Sequence, residues 1–151
     1  SAQPDGLLTG MALQPVMSVE ALEAFFRQAF PDVAEEQHAR IDSIEPGRVR
    51  LTLPQAALAL RPGGIVSGPT QMALADRAAY AVILAHIGPV AMAVTSNLNY
   101  SFLRAVEAKA VHADALLLKL GKRLATVDVR LWQDTEAVVL GQATVTYAIP
   151  G

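Results

Sequence analysis

The segment "SGPTQMALADRAAYAVILAHIG", Ser67–Gly88, decides the fold. It opens with Ser, Gly and Pro, a pattern that starts a helix, and then stays apolar on almost every side. A helix that is apolar all round is one the rest of the chain must cover. Its single carboxylate, Asp76, lies about two turns from the start. The residues three and four positions away, Met72, Ala73, Ala79 and Tyr80, are not cationic, and Arg77, being adjacent, does not share the face of Asp76. A carboxylate among apolar neighbours is a stronger proton acceptor than one in water. Asp76 is therefore a candidate for activating a water or for attacking a carbonyl directly.

Outward from this helix, the chain divides cleanly by periodicity. Met17–Phe30 carries Ser18 as an N-cap, with Val19, Leu22, Phe26 and Phe30 at helical spacing, and Pro31 stops it. The stretch "ARIDSIEPGRVRLTL" reads as two strands around Glu45-Pro46-Gly47. Residues 54–66 form a long connection broken at Pro62-Gly63-Gly64. Beyond the central helix, Ala91–Leu103, Ala108–Leu120, Leu124–Gln133 and Val138–Ile149 alternate or are rich in β-formers, joined by short turns at "LGKRLA" and "QDTEA". Sequential strands with tight turns make an antiparallel sheet, and the apolar helix must lie on its face. The expected class is α+β, a curved antiparallel sheet around one long central helix with an additional N-terminal helix. Residues 17–151 form the single domain, and residues 1–16 a loosely ordered segment.

At 151 residues the chain is long enough for one core. Apolar residues make up 52% and charged residues 17%, a surplus that subunit interfaces would absorb. No apolar run reaches the length of a membrane span. With no cysteine, disulfides, thiolate metal sites and a cysteine nucleophile are excluded. Ser1–Met17 lacks a basic region followed by an apolar one, so no signal peptide is expected there and the expected setting is the cytoplasm. The net charge of −2 argues against nucleic-acid binding, although residues 61–151 carry eight bases against six acids.

The stretches "RPGGIVSGPTQMALAD", "AVTSNLNYSFLRA" and "LLKLGKRLATVDVRL" together resemble the PaaI-like (phenylacetic acid degradation-type) thioesterases of the hotdog superfamily, over roughly Glu36 to Ile149. In that family a His-Gly-Gly turn opens the central helix and an Asp follows nine residues after the His. Here the turn is Ser67-Gly68-Pro69 and the acid is Asp76, within Leu74-Ala75-Asp76. The resemblance implies an acyl-CoA or aryl-CoA thioester hydrolase, a homodimer or dimer of dimers with its active sites at the dimer interface, and no metal or organic cofactor beyond the coenzyme A of the substrate. In this picture the Gly68 N–H holds the thioester carbonyl oxygen and Asp76 arrives from the other subunit. Pro69 suits the first helical position and Gly68 the cap, where bare backbone can approach a ligand. Free N–H groups at a helix start can stabilise an oxyanion.

Thr95, in "AVTSNLN", falls where many relatives carry a hydroxyl near the attacking water, and alternation places Asn97 and Asn99 on its face. Ser67 stands where the family keeps His, Pro69 where it keeps a second Gly, and Arg61 where it often keeps a substrate-contacting Asn. Arg61, Arg104, Lys122 and Arg123 (with Lys119 nearby) are the candidate cations for coenzyme A phosphates. A non-catalytic hotdog that binds acyl-CoA as a sensor or scaffold is the competing reading.

Other chemistries fit poorly. "GIVSG" lacks the Gly-x-Ser-x-Gly spacing of a nucleophile elbow. His38, His86 and His112 do not repeat at metal-ligand spacing. His86 is expected to bond the last carbonyls of its helix, and His112 to lie at the surface of an edge-like strand. Hotdog hydratases pair the acid with a His, and the residue five positions beyond Asp76 is Ala81.

Overall fold

The structure, a computed structural model, describes residues 13–151. The expectation of loose order for residues 1–16 therefore lies largely outside the described residues. Within them, the Val16 and Met17 N–H groups both donate to the Ala85 carbonyl, tying the entry of the chain to the central helix.

Helix α1 spans Val19–Ala29, and the Ser18 Oγ accepts from the Ala21 N–H at 3.1 Å. Leu22 and Phe26 are buried, while Val19 and Phe30 pack against the core from its margin. Strands β1 (Arg40–Glu45) and β2 (Arg48–Leu53) pair about a two-residue turn in which Gly47 adopts φ 72°, a region open to glycine. The connection at 54–66 is more structured than its composition predicts. A short 3-10 turn, Gln55–Ala57, leads into a two-residue hairpin of β3 (Leu60–Arg61) and β4 (Ile65–Val66) around Gly63 and Gly64, both at positive φ.

Helix α2 runs Gly68–Ile87 and forms the centre of the molecule. Strands β5 (Val94–Phe102), β6 (Val111–Leu120), β7 (Leu124–Trp132) and β8 (Gly141–Ala148) complete one antiparallel sheet in the order β1-β2-β6-β7-β8-β5. Alternation assigns the concave face to Val111, Ala113, Ala115 and Leu117 on β6, Ala125, Val127, Val129 and Leu131 on β7, and Ala143, Val145 and Tyr147 on β8. Many of these are alanines, as are Ala75, Ala78, Ala79, Ala81 and Ala85 on the helix. Small side chains on both surfaces let the helix lie close to the sheet. The open side of α2 is the stripe Pro69, Met72, Ala73 and Asp76, spaced i, i+3, i+4, i+7.

Two histidines and one strand differ from expectation. His86 does bond a carbonyl of its own helix, with Nδ1 2.7 Å from the Val82 oxygen. Its ring is buried, and Nε2 accepts from the Gly47 N–H at 2.9 Å, so it pins the β1–β2 turn to the end of α2. His112 is not on an edge, because β6 lies between β2 and β7. Its Nδ1 sits 2.8 Å from the Thr52 hydroxyl, which donates to Asp42, and its ring packs 4.3 Å from Trp132. Strand β5 contains a bulge between Thr95 and Asn97, the first opposite Tyr147 and the second opposite Thr146. Simple alternation fails there: Thr95 faces inward with Tyr147, whereas Asn97 and Asn99 face outward with Thr146 and Thr144.

Replacing His86 leaves the buried Gly47 N–H without its acceptor. His86→Leu is expected to lower unfolding free energy by about 1–3 kcal/mol, read from a denaturant titration.

Candidate active site

The bulge in β5 is what aims Thr95 at the central helix. Its Oγ1 donates to Asp76 Oδ1 at 2.6 Å, and the Tyr147 hydroxyl donates to the same oxygen at 2.9 Å. Asp76 is thus half-buried but not surrounded by apolar atoms alone, contrary to the surroundings its sequence neighbours suggest. Two O–H donors fix Oδ1, while Oδ2 accepts from no side chain or backbone group among the described residues. The arrangement holds a carboxylate in one rotamer and leaves one oxygen for other chemistry.

Tyr147 was not a candidate from sequence, although a Tyr at an inward position of β8 must find a polar partner for its hydroxyl. Tyr80 supports it, stacked at 5.7 Å between centroids and 14° between planes, with its own hydroxyl donating to the Ala91 carbonyl at 3.0 Å. Burial, above all, pushes the ionisation of Tyr147 far above that of a free phenol, and the adjacent Asp76 charge adds to this. The hydroxyl therefore stays a donor through the whole range in which the protein would work. Asp76, Thr95, Tyr147 and Tyr80 line a cleft of about 560 Å³ that also takes in Phe30 and Arg77.

The helix start forms a second centre. Helix α2 begins one residue earlier than the sequence suggests: Ser67 is the N-cap, Gly68 the first helical residue and Pro69 the second. Ser67 Oγ accepts from the Thr70 N–H at 3.3 Å and shares a 2.8 Å contact with the Thr70 hydroxyl. Ser67 thus uses its side chain to close the helix. Pro69 has no N–H, and the Gly68 N–H has no acceptor among the described residues. A Cβ at Gly68 would lie 3.2 Å from the Phe102 ring, so the approach there is close. Behind it, buried Gln71 donates to the Val66 carbonyl at 3.3 Å and accepts from the Tyr100 hydroxyl at 2.9 Å, binding the helix start to β4 and β5. Gly68, Gln71, Arg61, Phe102 and Arg104 line a cleft of about 490 Å³.

The candidate residues therefore fall into separate groups within one chain. Thr95 meets Asp76, while Arg61, Ser67 and Arg104 cluster at Gly68. Lys122 and Arg123 are exposed in the β6–β7 turn, at the end of the sheet where Leu124 pairs with Ala148 and Ala148 with Val94. Gly68 and Asp76 are eight residues apart on one straight helix, about 12 Å along its axis. That is too far for both to act on one carbonyl group. Among the described residues no group of side chains could hold a metal ion.

The long helix wrapped by a curved antiparallel sheet defines a hotdog fold. The thioesterase superfamily model matches residues 63–140, which span Gly68, Asp76 and Thr95. A candidate thioesterase from Silicibacter sp. TM1040 is 36% identical, with 92% of this chain and 96% of that one aligned at a TM-score of 0.83. A candidate thioesterase related to phenylacetic acid degradation, from Ralstonia eutropha JMP134, is 27% identical over 83% of this chain and 98% of that one, TM-score 0.70. Zebrafish thioesterase superfamily member 2 shares the fold at 18% identity, 89% and 99% coverage and TM-score 0.75. None of the curated proteins matches the sequence significantly. The chain belongs to the thioesterase superfamily. No helix among the described residues is long and apolar enough to cross a membrane.

Removing either donor to Oδ1 frees the carboxylate to rotate. Tyr147→Phe and Thr95→Val are each expected to lower kcat for thioester hydrolysis about tenfold, the worth of one hydrogen bond to a charged group. The double variant should lose less than the product of the two, since both serve one oxygen.

Proposed function

We propose that the protein hydrolyses acyl-CoA or aryl-CoA thioesters as a homodimer, or dimer of dimers, whose active sites each combine Gly68 of one chain with Asp76 of the other. The observation that carries this is the carboxylate of Asp76, held at Oδ1 by Thr95 and Tyr147 with Oδ2 unclaimed, on the open stripe of an otherwise buried helix. Among the described residues of one chain, the Asp76 cleft does not take in the Gly68 N–H, and the Gly68 cleft has no acid.

The edge of the sheet supports a second copy as the missing half. Among the described residues strand β5 pairs only with β8, and its outer edge is nine residues long. Val94 is 52% exposed and Phe102 is 55% exposed, with Met92 and Leu103 just beyond. A long exposed edge of this kind, apolar at both ends, invites pairing with another strand. A two-fold axis at the middle of β5 runs the two copies antiparallel, so the Phe102 end of one meets the Val94 end of the other. Phe102 touches Gly68, and Thr95 bonds Asp76. The same axis brings the Arg61 and Arg104 end of one chain to the sheet end that carries Lys122 and Arg123 in the other. Those cations then form a rim suited to the phosphates of coenzyme A.

In the reaction, Asp76 Oδ2 takes a proton from water as its oxygen bonds to the thioester carbon. The developing oxyanion accepts from the Gly68 N–H and lies near the positive end of the α2 dipole. Collapse breaks the C–S bond, and the proton held by Asp76 passes to the leaving thiolate, giving a free acid and coenzyme A. Direct attack by Asp76, giving a mixed anhydride that water then opens, uses the same groups. In H₂¹⁸O, label in the Asp76 side chain after a single turnover marks an anhydride opened at the Asp76 carbonyl, whereas the water route leaves that side chain unlabelled. No metal or organic cofactor takes part in either route, and the cytoplasmic setting expected from the sequence belongs to the same proposal.

The test is coenzyme A release from short, long and aromatic acyl-CoAs. Asp76→Asn should lower kcat by at least about 100-fold with KM little changed. Full activity in Asp76→Asn removes the assignment of the acid, and binding of acyl-CoA without hydrolysis by the wild type indicates a sensor or scaffold instead.

A further inference from the structure

We propose that Arg77 binds a carboxylate carried by the acyl part of the substrate, so that the protein prefers thioesters of dicarboxylic acids. This rests on the thioesterase reading above and concerns the same cleft.

Among the described residues, Arg27, Arg40, Arg50 and Arg130 each meet a carboxylate, and Arg48, Arg61, Arg104 and Arg123 are exposed to solvent. Arg77 belongs to neither group. It is half-buried, forms no ion pair and donates to no protein acceptor among those residues. Its sequence neighbour Asp76 turns instead to Thr95 and Tyr147. What holds Arg77 is aromatic: the guanidinium carbon lies 4.2 Å from the Phe30 ring centre and 4.8 Å from that of Phe26. Aromatic faces steady a cation but take none of its in-plane hydrogen bonds. Burial draws the Arg77 pKa below its ordinary value, the mark of a desolvated cation without sufficient compensation. A planar, pre-positioned fork in this state is complementary to a carboxylate, which it can hold with two parallel bonds.

The position tells which anion reaches it. Arg77 and Ala73 line both the Asp76 cleft and an adjoining cleft of about 300 Å³ walled by Val33, Ala39, Leu53 and Leu74. Arg77 therefore stands where the two meet, in the cleft of Asp76 and away from the exposed cations at the ends of the sheet. A group bound there lies beside the acid and not on the cationic rim, and is assigned to the acyl chain. Its charge also offsets repulsion between Asp76 and an anionic substrate.

The experiment compares kcat/KM for glutaryl-CoA with that for valeryl-CoA, which has the same chain length without the carboxylate. It is repeated with the N-acetylcysteamine thioesters, which carry no phosphate. Wild type should favour the glutaryl thioester in both thiol series. Arg77→Met should lower the glutaryl-to-valeryl ratio about thirtyfold or more, the worth of a charge-assisted bidentate pair, and Arg77→Lys should retain part of the preference. A wild type that cleaves valeryl-CoA but shows no preference for glutaryl overturns the inference and leaves the thioesterase reading standing. So does a ratio unchanged in Arg77→Met. A loss in Arg77→Met that is equal for glutaryl-CoA and valeryl-CoA and absent from the N-acetylcysteamine series means that Arg77 reads phosphate, and also overturns it. No turnover of any thioester overturns both.

Discussion

The constraint on which the rest of the molecule depends is the covering of α2. Twelve of its twenty residues are buried, alanines let it lie close to the sheet, and Gln71, Tyr80 and His86, the polar residues among the twelve, each find a hydrogen-bond partner. Chemistry is confined to what the cover leaves open, namely the first turn, the stripe through Met72, Ala73 and Asp76, and the half-buried Arg77 beside it. A carboxylate elsewhere on this helix would be buried without a partner, at a cost of several kcal/mol. On the stripe it can meet hydroxyls from the sheet on one side and a substrate on the other.

The sheet supplies those hydroxyls through an irregularity. Without the extra residue in β5, Thr95 would share the outward face of Asn97 and Asn99, and Asp76 would keep only Tyr147. One inserted residue re-aims one side chain by half a turn, which is the usual service of a bulge beside a functional group. The aromatic packing continues from there: Tyr80 stacks on Tyr147, and Phe26 and Phe30 lie close to Tyr80 and under Arg77. The N-terminal helix α1 thereby forms one wall of the acid's cleft as well as a cover for the core.

Much of this was legible in the sequence because it rests on periodicity. The all-round apolar character of Ser67–Gly88 and the change to period two beyond it place helix and sheet, and the resemblance of the Ser67-to-Asp76 stretch to the PaaI-like motif singles out the acid. Features that depend on long-range register were not legible. The bulge at Ser96 leaves no local mark, so Asn97 and Asn99 were assigned to the wrong face. His112 looked peripheral because chain order does not reveal that β6 pairs with β2. Tyr147 and Gln71 are single polar residues in apolar surroundings, and only the fold shows that one reaches Asp76 and the other ties down the helix start. The cap moved by one residue because Ser67 closes the helix with its own hydroxyl, a role that Gly68 cannot fill.

The central claim is that neither chain holds a whole active site, and complementation between two inactive variants tests it most directly. Asp76→Asn removes the acid, and Gly68→Pro removes the N–H at the first helical position, where its fixed φ fits although the Phe102 ring, 3.2 Å from the added Cβ, must shift. If each site takes one residue from each chain, a mixed dimer contains one intact site and one doubly damaged site. Co-production of the two variants in equal amounts, with subunits assorting freely, should then restore about one quarter of wild-type activity. A mixture no more active than its separate components would contradict the shared site and place Gly68 and Asp76 in independent roles.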